Sequence, residues 1–152
     1  VIGARPRGAR ALTAVATDTR ALTGGELFVA LAGERFDAHD FLADAVAKGA
    51  AAVVVHDGAR AAGLGVPVYV VPDTLVALGR LARYWRRAWG AGDRAVIGVV
   101  GSNGKTSTKE LLRAALAAAR PVPATSGDLP NRTSLPLTLL AMQPEAELAV
   151  IE

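Results

Sequence analysis

The segment Ala95-Val-Ile-Gly-Val-Val-Gly-Ser-Asn-Gly-Lys-Thr-Ser-Thr-Lys-Glu110 limits what this chain can fold into more than any other stretch. An apolar, strand-type run, Ala95–Val100, enters a glycine-bearing turn. The turn opens onto Lys105 and Thr106, at the head of a helical stretch that reaches about Ala119 and is stopped by Pro121. Strand, Gly-Lys-Thr and helix in that order predict a phosphate-binding turn. Its backbone N–H groups point inward and the helix end adds a positive dipole, so main chain does most of the holding of a polyphosphate. Gly101 and Gly104 let the backbone approach the phosphates, with Ser102 and Asn103 between them. Lys105 is placed to reach the outer phosphoryl oxygens and the Thr106 hydroxyl to ligate Mg²⁺. The longer G-x-x-x-x-G-K-[ST] spacing is not met, because Val99 stands five residues before Gly104. A glycine-rich turn with a chance lysine is the bland alternative, and it leaves the flanking strand and helix unexplained.

Such sites need a carboxylate near the metal, at the end of a neighbouring strand. Leu148-Ala-Val-Ile-Glu152 is an apolar run that ends in one. In a parallel sheet both strand ends lie at the edge where ligands bind, so Glu152 is the expected metal-associated carboxylate beside Thr106.

Lysine is scarce, which sharpens this reading. Arginine supplies 14 of the 17 basic residues, and two of the three lysines, Lys105 and Lys109, fall in the phosphate-binding segment, with Lys48 the third. Half the chain is hydrophobic and the formal net charge is only +3, which excludes a disordered chain. No apolar run reaches the roughly 18 residues of a membrane span, and no signal peptide is visible. The absence of cysteine rules out disulfides, thiolate zinc sites and cysteine nucleophiles, and it fits the cytoplasmic location expected here. Arg80, Arg83 and Arg87 gather on one predicted helix. A solvated face explains them better than a nucleic-acid contact, and no nucleic-acid partner is expected.

Upstream, short Val-rich runs alternate with helical patterns. Strands are predicted at Leu27–Leu31, Ala52–Val55 and Val68–Val71. One helix is predicted near His39–Lys48, closed by Gly49, and a longer one runs from an Asp73/Thr74 cap to Trp89. The small break Gly90-Ala-Gly-Asp93 marks a junction, so residues 1–91 and 92–152 are expected to be separate domains. Pro121–Pro136 holds four prolines and no period, which makes it a candidate functional loop, with a short helix from about Leu137 after it. The fold class is α/β: a small mixed α/β domain, then the start of a phosphate-binding domain with a largely parallel sheet.

The loop Val100-Gly-Ser-Asn-Gly-Lys-Thr-Ser-Thr-Lys-Glu110 resembles the ATP site of the Mur ligase family, whose shortened G-x-x-G-K-[ST] accounts for the missing first glycine. Asp18-Thr-Arg20, Gly25-Glu-Leu-Phe-Val-Ala-Leu31, Gly33-Glu-Arg-Phe-Asp-Ala-His-Asp-Phe41 and Ala45–Val55 are similar to the N-terminal UDP-substrate domain of that family. The Lys-Glu after the loop threonines and the Gly-Glu-Arg-Phe-Asp segment look most like the members that add D-Ala-D-Ala. The diamino-acid-adding sister enzyme is the alternative within the family, and a stand-alone nucleotide-binding module the alternative outside it.

The resemblance, from about Thr13 to Glu152, implies a three-domain ATP-dependent, Mg²⁺-dependent amide ligase of peptidoglycan precursor synthesis. Its substrates would be a UDP-N-acetylmuramoyl peptide and D-Ala-D-Ala, joined through an acyl phosphate, and a monomer is favoured. Val1 and Glu152 are then expected to be cuts within a longer protein, and the piece alone is expected to lack ligase activity. On the same resemblance Lys105 carries the catalytic role, Ser107 adds nucleotide or metal-shell contacts, and Asp18, Thr19, Arg20, Arg35 and His39 bind the nucleotide-sugar substrate. Arginine suits phosphate because its planar fork donates paired hydrogen bonds. Arg20 as a plain surface residue and His39 as a helix cap are the competing readings. The proline-rich loop departs from the family, since Asp128, Pro130 and Ser134 replace expected asparagines and glycine. Asn131 and Pro136 keep their places, so Asn131 is carried as a substrate-site residue.

Overall fold

A computed structural model describes residues 11–33, 36–90, 94–118 and 132–152. It divides into two compact units, Val1–Thr74 and Leu75–Glu152.

The first unit is built on a four-stranded sheet in the order β1 (Val15–Ala16), β2 (Leu27–Val29), β3 (Ala52–Val55), β4 (Val68–Val70), every neighbouring pair parallel. The middle strands β2 and β3 are buried at every position, whereas the edge strands are partly exposed. That is why Leu-Phe-Val and Ala-Val-Val-Val read as continuous apolar runs rather than as alternation. Parallel neighbours need crossovers. Between β2 and β3 runs a 3-10 turn, Ala38–Phe41, followed by helix α1 (Leu42–Ala47), and between β3 and β4 a 3-10 turn, Ala59–Ala61. The helical pattern predicted at His39–Lys48 thus begins as a 3-10 turn, because the Asp37 carboxylate accepts from the His39 backbone N–H and tightens that end. Leu42 and Ala45 of α1 pack with Phe28, Ala30, Val53 and Val55 of the sheet, and with Ala38, Ala50 and Ala61 they form the core of the unit. The strand Val15–Ala16 and the first 3-10 turn, Thr19–Ala21, are too short to leave a sequence period.

Two devices fasten the turn before β2. Gly49 ends α1 at φ +92°, and its carbonyl accepts from the Gly25 N–H at 2.8 Å. A Cβ there would sit 3.2 Å from the Cα of Gly24, so both the left-handed backbone and the close approach call for glycine. Glu26 is buried, and its carboxylate accepts from the Thr23 hydroxyl at 2.6 Å, the Thr23 N–H at 2.8 Å and the Gly24 N–H at 2.8 Å. Those bonds, the Thr23 hydroxyl first, lower its pKa from 4.5 to about 2.

In the second unit β5 (Ala95–Gly98) pairs in parallel with β6 (Leu148–Ile151), from Ala95 opposite Leu148 to Gly98 opposite Ile151. Side chains alternate across this pair. Val96 and Ala149 meet Trp89 at the end of α2 (Thr74–Trp89) together with Leu139 of α4 (Ser134–Leu140), Met142 and Ala146. Ile97, Val99, Leu148 and Val150 meet Leu112 and Leu116 of α3 (Lys105–Ala117) on the opposite face. Trp89 also donates its indole N–H to the Gln143 carbonyl at 2.9 Å. This packing groups α2 with the second unit, so the compact units divide at Thr74. Helix α4 starts at Ser134, three residues earlier than the sequence suggests. Pro136 lies in its first turn, where a missing N–H costs no helical bond. Arg80, Arg83 and Arg87 occupy exposed positions of α2. Among the described residues no helix is long and apolar enough to cross a membrane.

Gly49→Ala is expected to destabilise the chain by about 1–2 kcal/mol in urea unfolding, from the cost of a left-handed non-glycine residue. Glu26 has a folded pKa below its unfolded one, so its contribution is present above about pH 4.5 and is lost as pH falls toward 2. Glu26→Gln is expected to lower the thermal midpoint at pH 7 and to flatten its fall between those two pH values. An unchanged acid limb in the variant would show that the carboxylate is not its source.

Candidate active site

Two places gather the residues singled out from the sequence, one in each unit. The first lies at the carboxyl edge of the β5–β6 sheet. Val99 is buried as the chain leaves β5, and Gly101 through Gly104 are exposed. Gly104 takes φ +72°, ψ 8° at the N-cap of α3 and supplies no side-chain cap, and no acidic residue stands in the first turn. The leading N–H groups of a 13-residue helix therefore have no side chain of their own cap to satisfy them, which is the arrangement that receives an anion. A Cβ placed on Gly101 would meet only the Asn103 carbonyl at 3.7 Å and Lys105 Cγ at 3.9 Å. The chain's own packing does not demand glycine there, and the bare Cα leaves the face of the turn open.

Lys105 is half-buried at the start of α3, and Thr106 and Ser107 are exposed. Thr106 Oγ1 donates toward the Glu152 carboxylate, 3.2 Å from Oε1 and 3.1 Å from Oε2, across 46 residues of sequence. The parallel register brings them together: Gly98 lies opposite Ile151, so the residues that follow each strand emerge at one edge. A hydroxyl and one carboxylate suit Mg²⁺, which keeps several waters and usually takes only one or two carboxylates from the protein. Among the described residues no group of three or more His, Cys, Asp or Glu could hold a metal ion. Lys109, one turn beyond Lys105 on the face that continues through Leu112 and Leu116, is buried, with its ammonium 3.9 Å from Glu110 Oε1.

The second place is a cavity of about 440 Å³ in the first unit, lined by Thr17, Asp18, Thr19, Arg20, Phe28, Phe36, Ala38 and Phe41. It too stands at carboxyl ends of parallel strands, since Thr17–Arg20 follow β1 and Phe36–Phe41 follow β2. Asp18 caps the 3-10 turn by accepting the Arg20 N–H at 2.9 Å, and it holds the Arg20 guanidinium through Nε at 3.0 Å and through Nη2. The Arg20 side chain, and then its backbone N–H, bring the Asp18 pKa down to about 2, while Asp18 raises that of Arg20. Asp44 accepts from the Lys48 ammonium at 2.9 Å, and its pKa is lowered first by Lys48 and then by the Thr19 side chain. Opposite them, the exposed rings of Phe36 and Phe41 stack with centroids 5.2 Å apart and planes 19° apart.

His39 is fully engaged inside the unit. Its Nδ1 lies 2.7 Å from Asp37 Oδ1, and its Nε2 accepts the His56 N–H at 3.1 Å, which puts the proton on Nδ1. A substrate contact through that ring would cost one of these bonds. Arg35 and Asn131, the other candidates for substrate, lie outside the described residues. Phe36 and Phe41 were not singled out in the sequence as site residues. Their signal was present as two aromatics flanking Asp-Ala-His-Asp, but nothing in a linear pattern shows that they stack.

The residues compare closely with known proteins. A model described as "Mur ligase family, catalytic domain" matches residues 11–86, half of the chain, and one described as "Mur ligase middle domain" matches residues 99–152. The chain belongs to the Mur ligase family. The chain is 47% identical over 141 residues to the UDP-N-acetylmuramoyl-tripeptide–D-alanyl-D-alanine ligase of Escherichia coli, a match covering 93% of this chain and 30% of that protein. A crystal structure of MurF from Acinetobacter baumannii superposes with a TM-score of 0.80 at 40% identity, over 91% of this chain and 29% of the other. MurF ligase from Thermotoga maritima in complex with ADP gives 0.71 at 31% identity, over 91% and 31%. The chain thus spans about 30% of the length of the Mur ligases it matches.

Two glycine substitutions separate fold from ligand at this Mur ligase turn. Gly104→Ala is expected to cost about 1–2 kcal/mol of stability because its backbone is left-handed. Gly101→Ala, meeting only ordinary contacts, should leave the unfolding midpoint near that of the parent and lower ADP affinity in a calorimetric titration.

Proposed function

We propose that this chain contributes the nucleotide-sugar subsite and the phosphate-binding turn of an ATP-dependent amide ligase that joins D-alanyl-D-alanine to UDP-N-acetylmuramoyl-tripeptide. The observation that carries the reading is the Thr106 hydroxyl against the Glu152 carboxylate, beside a glycine-capped helix start with Lys105 in its first turn. The names of the Escherichia coli relative and of the Thermotoga maritima ADP complex support both halves of it.

The reaction needs a carboxylate to approach a polyphosphate. The substrate carboxylate bonds to the γ-phosphorus, the bond to the β–γ bridging oxygen breaks, and an acyl phosphate and ADP result. The amine of D-Ala-D-Ala then bonds to the acyl carbon, phosphate departs, and the amine gives up a proton. Repulsion between two anions is the obstacle in the first step, and this chain supplies cation and geometry against it. Lys105 would place its ammonium against the outer phosphoryl oxygens as negative charge shifts toward the bridge. The N–H groups of residues 101–106 would fix the phosphate chain for in-line attack, so that little positional entropy remains to be lost. Thr106 and Glu152 would hold Mg²⁺, and Ser107 would support that shell. A bound Mg²⁺ would supply charge neutralisation of the β- and γ-phosphoryl oxygens. In the first unit, the Phe36–Phe41 pair offers a flat apolar wall for a pyrimidine. Asp18, Thr19 and Arg20 offer donors and acceptors for its edge and for the diphosphate.

The test is a substrate panel on the full-length protein. ATP-dependent ADP release is expected with UDP-N-acetylmuramoyl-tripeptide and D-Ala-D-Ala, and not with the UDP-muramoyl-dipeptide and a diamino acid. The opposite pattern would assign the sister activity. Lys105→Ala is expected to lower kcat by about a hundredfold or more with UDP-substrate binding intact. Loss of both would point to misfolding rather than to lost phosphate stabilisation.

A further inference from the structure

The segment that carries the aromatic wall of the first unit's cavity is anchored in the core at Ala38, while its two acidic residues are held by a polar network. Phe36 and Phe41 themselves are 58% and 40% exposed, so burial alone does not fix their rings. Between them Asp37 accepts on Oδ1 from the His39 N–H at 3.0 Å and contacts His39 Nδ1 on the same oxygen. His39 in turn accepts from the backbone of His56, the residue that follows β3. Arg60, on the 3-10 turn Ala59–Ala61, reaches back 23 and 20 residues to the same segment. Its Nη1 donates to Asp37 Oδ2 at 2.5 Å and its Nη2 donates to Asp40 Oδ1. One planar guanidinium therefore ties two carboxylates, and those carboxylates bracket Ala38 and lie between the two phenylalanines. The Arg60 side chain is 34% exposed and lines no part of the cavity itself.

We infer that Arg60 is a positioning residue for the nucleotide-sugar substrate: by bridging Asp37 and Asp40 it sets the spacing and tilt of the Phe36–Phe41 wall without touching the ligand. The geometry needs a fork. A lysine keeps the charge, but its single nitrogen cannot span two carboxylates in a fixed plane. The Asp37 carboxylate is ready for this role, since the His39 backbone N–H and then the Arg60 side chain hold its carboxyl well below the usual range. Without the fork, Asp37 would still cap its 3-10 turn through His39, so the fold would remain. What would loosen is the segment's free side, which carries both rings, and the substrate would then have to order it on binding.

This inference rests on the reading of the cavity as the nucleotide-sugar subsite, and the experiment distinguishes the two. Steady-state kinetics of the full-length protein are measured with UDP-N-acetylmuramoyl-tripeptide, ATP and D-Ala-D-Ala for Arg60→Met, Arg60→Lys, Asp40→Asn, Phe36→Leu and the Arg60→Met/Phe36→Leu pair. Arg60→Met is expected to raise KM for the UDP substrate about three- to tenfold, leaving kcat and KM for ATP unchanged. Arg60→Lys should recover only part of this, and Asp40→Asn, at an exposed carboxylate, should give a smaller shift of the same kind. Because Arg60 acts through the ring, the double variant should show less than the product of the single effects. A merely structural arginine would instead lower the thermal midpoint and disturb the UDP-substrate and ATP constants alike, in proportion across the variants. That result, or a UDP-substrate KM unchanged in both Arg60→Met and Asp40→Asn while Phe36→Leu raises it, overturns the inference. If Phe36→Leu also leaves that KM unchanged, the cavity is not the nucleotide-sugar subsite, and the reading beneath the inference falls with it.

Discussion

Parallel strand pairing is the constraint on which the rest of this molecule depends. Each neighbouring strand pair in the two described sheets runs parallel, so every strand in a sheet releases its chain at the same edge. Loops that follow separate strands are thereby brought together, and functional residues collect there because loops on a rigid sheet can vary without cost to the core. In the second unit this delivers the glycine-bearing turn after β5 and Glu152 after β6 to one place. In the first unit it delivers Asp18–Arg20 after β1, Phe36–Phe41 after β2 and His56 after β3 to another. The same topological rule thus builds both candidate sites.

Each sheet settles its register by a different balance of forces. In the second unit, alternation does it: Val96 and Ala149 serve one layer of helices, and Ile97, Leu148 and Val150 serve α3. A slip of one residue would exchange the two faces and carry Glu152 away from Thr106. In the first unit β2 and β3 are apolar on both faces, so alternation carries less information. There the connections contribute more, through Gly49 crossing against Gly24 and Gly25 and through the Glu26 carboxylate closing the turn before β2. Those connections use buried polar and conformationally special residues, which is where single substitutions act most strongly.

Legibility from sequence followed the range of the interaction concerned. Strand β3, the long helix ending at Trp89, the strand before the phosphate turn and the final strand could all be placed from local apolar pattern and punctuation, because burial imposes its period on nearby residues. The start of α1 was blurred by a 3-10 turn whose cause is one side chain, Asp37, bonding two residues ahead. The grouping of α2 with the second unit follows from where Trp89 packs, mostly against residues 50 and more positions later. Pro136, read as the last residue of the proline-rich loop, lies instead in the first turn of α4, where proline is tolerated.

By itself the sequence determined the chemistry on offer: a bare glycine turn, one lysine and one threonine at a helix start, a carboxylate at a strand end, and an Asp-Thr-Arg segment that resembles a nucleotide-sugar site. These are properties of residue type and short spacing, and local backbone geometry is enough to express them. Only the tertiary structure decided which groups meet. It set the Thr106 hydroxyl beside Glu152 across 46 residues, folded Arg20 onto Asp18, closed both nitrogens of His39, and ran Arg60 back to Asp37 and Asp40. The reason is that hydrogen bonds and ion pairs act over a few ångströms whatever the sequence separation, and only strand pairing and core packing fix which distant residues come that close.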